Sequence, residues 1–137
     1  MPVQTDVTPA VVIRDLSFSY PTAQGPLLAG LSFSLLPGFT GIVGANGAGK
    51  TTLLQLLAGQ LTADAGFIDG ACDAVYCEQR TDNAPATFHA FLQDWDSGAF
   101  ELRGRLGIKP DFLARWHTLS HGERKRAQIA LALWQLP

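Results

Sequence analysis

Charged side chains are scarce in this sequence. Asp, Glu, Lys and Arg make up 16% of its 137 residues and hydrophobic residues 47%, where an average globular domain carries about 25% charge. That balance excludes a disordered chain and a coiled coil. No apolar run approaches the roughly 18 residues that a bilayer-spanning helix needs. Met1 to Asp6 have neither the basic stretch nor the apolar segment of a secretory signal. The two cysteines, Cys72 and Cys77, form neither a zinc knuckle nor a redox CxxC. Their spacing puts them on opposite faces of a strand, where two buried, reduced thiols are expected, as suits a cytoplasmic setting. Internal repeats and low-complexity segments are also missing. What is left is one domain at most, on a prior of about 100–200 residues per domain.

The net charge of −2 points to no polyanionic partner, but its distribution is uneven. Residues 1–100 carry 3 basic and 9 acidic groups, and residues 101–137 carry 7 basic and 3 acidic. Solvated helix faces explain such a split most simply. Along the chain, Leu16 to Tyr20 and Leu31 to Leu35 alternate with period two and are joined by a loop with two prolines and two glycines. An antiparallel strand pair is the expectation. Phe39 to Val43 is a short apolar run expected to be a buried strand, and Gly49 to Ala58, apolar almost all round, an interior helix stopped by Gly59. Asp64 to Gly66 reads as a turn, Phe67-Ile68 as a brief strand and Ala71 to Cys77 as another. Thr87 is placed to cap a helix through Trp95, broken by Asp96-Ser97-Gly98, with a further turn or two over Phe100 to Leu106. Ser120 to Glu123 has the S-x-x-E pattern of a capping box before a helix to about Leu136.

Gly44-Ala45-Asn46-Gly47-Ala48-Gly49-Lys50-Thr51 matches G-x-x-x-x-G-K-[ST]. Glycines at this spacing let the backbone curl until successive N–H groups converge on one anion. The helix that follows points its positive end at the same place, which makes a phosphate cradle. Lys50 supplies a point charge for the β- and γ-phosphates, and the Thr51 hydroxyl a ligand for Mg²⁺. By average composition the pattern occurs by chance in under about 1% of chains this long. Its context, an apolar segment before and a helix after, is the one the motif demands.

A phosphate loop alone does not choose among kinases, GTPases and ATPases. Leu119-Ser120-His121-Gly122-Glu123, followed by Arg124-Lys125-Arg126-Ala127-Gln128, does. Here the sequence resembles the ATP-binding-cassette (ABC) ATPases, whose signature LSGGQ or LSGGE precedes a basic, alanine-rich helix. The resemblance covers about residues 11–137, after a tail of residues 1–10. It implies an α/β P-loop NTPase fold: a RecA-like parallel-sheet core, an N-terminal antiparallel β subdomain, and a helical signature subdomain at about residues 80–120. ATP and Mg²⁺ are the implied ligands, with Gly44, Asn46, Gly47, Ala48, Gly49, Lys50, Thr51 and Thr52 around the nucleotide. Gln79 resembles the Q-loop glutamine, which touches Mg²⁺ and the attacking water. Tyr20 resembles the aromatic residue that stacks on adenine. Ser120, Gly122 and Glu123 would face the nucleotide of a second cassette in a head-to-tail arrangement.

Compact Lys50-to-Gln79 and Gln79-to-Ser120 intervals, a signature ending in Glu123 and continuing Arg-Lys-Arg, and no fused membrane region resemble the ABC-F subfamily. Those are soluble proteins with two cassettes in one chain that act mainly on ribosomes. The nucleotide-binding subunit of a membrane transporter, paired with a membrane partner, is the alternative. Basic residues Arg103, Arg105, Lys109, Arg115, Arg124, Lys125 and Arg126 are compatible with ribosomal RNA contact. His121 departs from the family pattern, standing where its first signature glycine is usual. The chain ends at Pro137, before the apolar strand that carries the family's Walker B aspartate and catalytic glutamate. No general base is therefore expected among these residues, since Glu123 belongs to the signature. The expectation is the N-terminal part of one cassette, with an incomplete core and no hydrolysis by the chain alone.

Overall fold

The computed structural model describes residues 9–70 and 74–136. Two compact units divide it, one up to Ala74 and one from Val75.

The first unit is built on an antiparallel sheet. Strand β1 (Val11–Phe18) pairs on one side with β2 (Leu28–Leu35) and on the other with β3 (Ala65–Asp69), in the order β2-β1-β3. The expected antiparallel pair is present, with β2 starting inside what reads as loop. Strict alternation fails in β1, where Ile13, Leu16 and Phe18 all point into the core. A register irregularity between Ile13 and Leu16 resets the inward face, and Asp15 there takes φ 49°. The partner strand accommodates it with Gly66, at φ +80°, where a Cβ would stand 2.4 Å from the carbonyl oxygens of Arg14 and Asp15. Residues 65 and 66 are thus strand rather than turn. Only glycine fits so close to a neighbouring backbone.

Helix α1 (Lys50–Leu57) follows the glycine loop and is ended by Gly59 in the left-handed region. It adds Leu53 and Leu56 to the core formed by Ile13, Leu16, Phe18 and Leu28. Leu54 on its opposite side is exposed, so the helix is amphipathic and not buried all round. The strand expected over Phe39 to Val43 is not formed. Those residues pair with no strand among the described ones, and Phe39 and Val43 are 102% and 94% exposed. A parallel strand is stable only between neighbours that come back by long crossovers. Among the described residues, the strands present are the three antiparallel ones, and of this segment Ile42 packs against their core.

The second unit is helical. It comprises α2 (Phe88–Gln93), α3 (Ser97–Leu106), a 3₁₀ turn (Trp116–Thr118) and α4 (His121–Gln135). Phe88, Phe91, Phe112 and Trp116 pack with Ala127, Ala130 and Leu131 of α4 into one core. Each fully buried aromatic of this kind contributes about 1.5–3 kcal/mol. Helix α2 is shorter than expected: Asp94 is extended, and Trp95, assigned to the apolar face by its spacing, is 84% exposed. Thr87 does not cap α2, because its hydroxyl accepts from Gln135 Nε2 at 3.0 Å. Asp96 is not a breaker but the cap of α3, accepting from the Gly98 N–H at 3.0 Å. Gly107, at φ +64°, ends that helix. The strand expected over Ala71 to Cys77 falls partly on 71–73, which with Cys72 lie outside the described residues. Residues 74–77 form no strand, and Cys77 is exposed rather than buried, having no sheet to cover it.

Candidate functional site

Two turns leading into helices carry the candidate chemistry, one in each unit. In the first, Gly47 and Gly49 take φ +82° and +93°, a region that disfavours side-chain-bearing residues. The Ala48 N–H donates to the Ala45 carbonyl at 3.2 Å and closes the curl. Gly47 is needed for its backbone angle alone, since a Cβ there would meet nothing within 4 Å. Gly49 is needed twice over. A Cβ would also come within 3.0 Å of Leu28 Cδ2 and 3.3 Å of Leu27 Cγ, so the start of β2 packs directly on the loop.

Gly44, Asn46, Gly47, Ala48 and Thr51 are exposed, and the first-turn amides of α1 have no partner within the helix. Lys50 leans back over the loop, its Nζ donating to the Gly44 and Ala45 carbonyls at 2.7 Å each. The donor set is therefore rich in N–H groups and carries one cation, Lys50. Such a set fits a polyphosphate, with the Thr51 hydroxyl free to join a metal ion held by that phosphate. Thr52 is buried, and its Oγ1 lies 3.0 Å from the Tyr20 hydroxyl. Tyr20, which also packs edge-on against Phe18 at 5.0 Å between centroids, is thereby fixed to the phosphate-loop helix.

In the second unit the capping box of α4 is complete. Ser120 Oγ accepts from the Glu123 N–H at 3.2 Å, and Glu123 Oε2 accepts from the Ser120 N–H at 2.8 Å and its hydroxyl at 2.9 Å. The bond from the Ser120 backbone, then the one from its hydroxyl, holds the Glu123 carboxyl below the usual range. Gly122 stands in the first turn of α4 with open space where a Cβ would go. His121 Nδ1 is 3.5 Å from the hydroxyl of Thr81, a buried residue.

Gln79 is exposed, and both of its flanks are tied to α4 and the turn before it. The Glu78 carbonyl accepts from Lys125 Nζ. The Thr81 carbonyl accepts from Trp116 Nε1 at 3.0 Å and Arg124 Nη1 at 3.4 Å. Arg124 also donates to the Trp116 and His117 carbonyls at 3.1 and 2.9 Å. The roles of Thr81, Trp116, Arg124 and Lys125 were hidden in the sequence. Their partners are backbone carbonyls up to 47 positions away, which no local pattern marks.

A family model described as ABC transporter matches residues 28–137. The mycobactin import ATP-binding/permease protein IrtB of Mycobacterium tuberculosis is 35% identical over 158 residues, covering 93% of this chain and 27% of that protein. The probable ATP-binding protein YheS of Haemophilus influenzae is 30% identical over 159 residues, 99% of this chain and 24% of its own length. ATP-binding protein Uup of Caulobacter vibrioides is 32% identical over 136 residues, with 94% and 22% covered. The chain thus spans about a quarter of the length of these relatives. The match runs from the start of β2 through α4 and takes in both turns: the chain belongs to the ABC transporter family.

Proposed function

We infer that this chain binds Mg-ATP on the Gly44–Thr51 loop as part of an ABC ATPase that hydrolyses it. The observation that carries this is the loop itself: two left-handed glycines, unpartnered helix-tip amides and Lys50 converge on one exposed place. In this reading the loop amides and Lys50 grip the phosphates, and Lys50 exchanges its two carbonyl bonds for phosphate oxygens. Thr51 would be a ligand of Mg²⁺ in this reading, and Gln79 is the second ligand that the family resemblance implies; the ion would supply positive charge to the phosphates. Tyr20 offers its ring face to the adenine, with Thr52 behind it. Ser120 and Gly122 present the tip of α4 to the nucleotide of an opposing cassette. Glu123 serves as the cap of α4 and is given no part as general base. A RecA-like parallel sheet would seat Phe39 to Val43 as a strand and cover the exposed Phe39 and Val43. Lys50→Ala in the full-length protein should abolish ATP turnover; retained turnover would sink the assignment of this loop.

For the wider role, an ABC-F-like cassette protein acting on ribosomes in the cytoplasm is the first reading. It is supported by the compact motif intervals, the Arg-Lys-Arg tail of the signature, and near-complete alignment with YheS and Uup. Among the described residues no helix is long and apolar enough to cross a membrane. The cassette of a transporter is the second reading, favoured by the 35% identity to IrtB over 93% of this chain. Sedimentation of the full-length protein with ribosomes supports the first, and recovery with the membrane fraction instead supports the second.

A further inference from the structure

Lys125 and Arg124 read in the sequence as surface charge, yet both side chains turn back onto the chain. Lys125 Nζ holds the Glu78 carbonyl, and Gln128 Oε1, 2.9 Å away, fixes the ammonium from the other side. Arg124 spreads one guanidinium over the Thr81, Trp116 and His117 carbonyls. Trp116 Nε1 meets the same Thr81 carbonyl, and the Thr81 side chain reaches His121 at the tip of α4. Gln79 and Arg80 are the two exposed residues between these fixed points.

A backbone carbonyl bonded to a cationic donor is a stronger tether than an ordinary loop contact. Two such tethers on either side of a two-residue bulge leave the bulge little freedom of its own. We propose that Lys125 and Arg124 are positioning residues for Gln79. They make the glutamine and the Ser120–Gly122 helix tip one rigid piece, so that any movement of α4 carries Gln79 with it. The proposal rests on the reading of Gln79 as a residue that meets Mg²⁺ and the attacking water. It adds that the placement of Gln79 is set by the signature helix and not by the loop's own sequence.

The test is a set of variants in the full-length protein, read by ATP affinity, kcat and the Mg²⁺ concentration for half-maximal rate. Lys125→Met keeps the apolar stem and removes the donor. It should lower kcat about 10-fold and raise the Mg²⁺ requirement, as loss of a group that orients a metal ligand does, while ATP affinity stays within about 2-fold. Lys125→Arg, which can still donate to Glu78, should recover most of the rate. Arg124→Lys, with one donor group in place of a planar fork, should fall between them. In a Gln79→Ala background, Lys125→Met should cost nothing further. An undiminished 10-fold loss in that background, or an unchanged Mg²⁺ requirement, overturns the positioning role and leaves Gln79 in place. An unaltered kcat in Gln79→Ala alone overturns the reading of Gln79 and the proposal with it.

Discussion

Tyr20 and Thr52 share one hydrogen bond of 3.0 Å, but its two ends sit in different surroundings. Thr52 is 5% exposed and Tyr20 is 39% exposed. Thr52→Val removes the bond with a nearly isosteric side chain and leaves the phenol free to turn to water. The loss is then the net worth of one hydrogen bond, about 1 kcal/mol. Tyr20→Phe removes the same bond but strands the Thr52 hydroxyl in the core, where an unsatisfied group costs about 1–3 kcal/mol. Rotation of that hydroxyl onto the carbonyl one turn back recovers part of this, which sets the expected total near 2 kcal/mol. The double variant strands nothing and should be more stable than Tyr20→Phe alone. Urea unfolding followed by circular dichroism reads the difference. With a slope of about 2 kcal/mol per M, each kcal/mol moves the midpoint by about 0.5 M. Equal midpoints for the two single variants, or a double variant less stable than either, would refute the reasoning. In parallel, Thr52→Val should weaken ATP binding, because the bond holds the Tyr20 ring.

Gly122→Ala places a methyl in open space inside the first turn of α4, so thermal unfolding should show stability kept or raised by up to about 1 kcal/mol. The same variant should lose ATP turnover if the helix tip must approach a phosphate; loss of stability and turnover together would reduce the glycine to a folding role. Glu123, with its carboxyl held below the usual range by Ser120, stabilises the cap at pH above the unfolded-state glutamate value. That stabilisation is lost as pH falls through the lowered folded-state value. Glu123→Gln keeps an acceptor for the Ser120 N–H, so it should flatten that part of an acid-unfolding profile; an unchanged acid limb would mean the carboxylate is not the group that titrates.

Features whose physics is local were legible in the sequence. The capping box from Ser120 to Glu123 satisfies its own end of α4, and it formed as read. The glycine loop is dictated by backbone angles and a following helix, and Gly47 and Gly49 took the left-handed values it needs. Features whose physics lies in a partner were not legible. Period-two reading missed the inward turn of Ile13, because the irregularity at Asp15 is tolerated only with Gly66 on the neighbouring strand, some fifty positions on. Asp96 and Gly98 look like a break and serve as a helix start, because the Asp96 side chain caps the turn that Gly98 belongs to. An apolar run such as Phe39 to Val43 states only that it wants covering. Whether it becomes a strand depends on what lies beside it, and among the described residues it pairs with no strand.

Basic residues show the same division, and here it bears on the partner. Composition places seven cations in residues 101–137 and invites the thought of RNA. In the folded unit Arg103 donates to the Phe91 carbonyl at 2.5 Å, Arg105 pairs with Glu101 at 2.7 Å, and Arg115 pairs with Asp111 at 2.8 Å. Arg124 and Lys125 are committed to carbonyls around Gln79. An internally bonded cation still contributes its field at a distance, but it donates to a phosphate only by giving up the contact it already makes. The exposed ion pairs are weak and could be exchanged at little cost. The tethers at Glu78 and Thr81 could not be exchanged without releasing the segment that holds Gln79. A polyanion seated on Arg124 and Lys125 would therefore compete with the contacts that hold the Glu78–Thr81 segment.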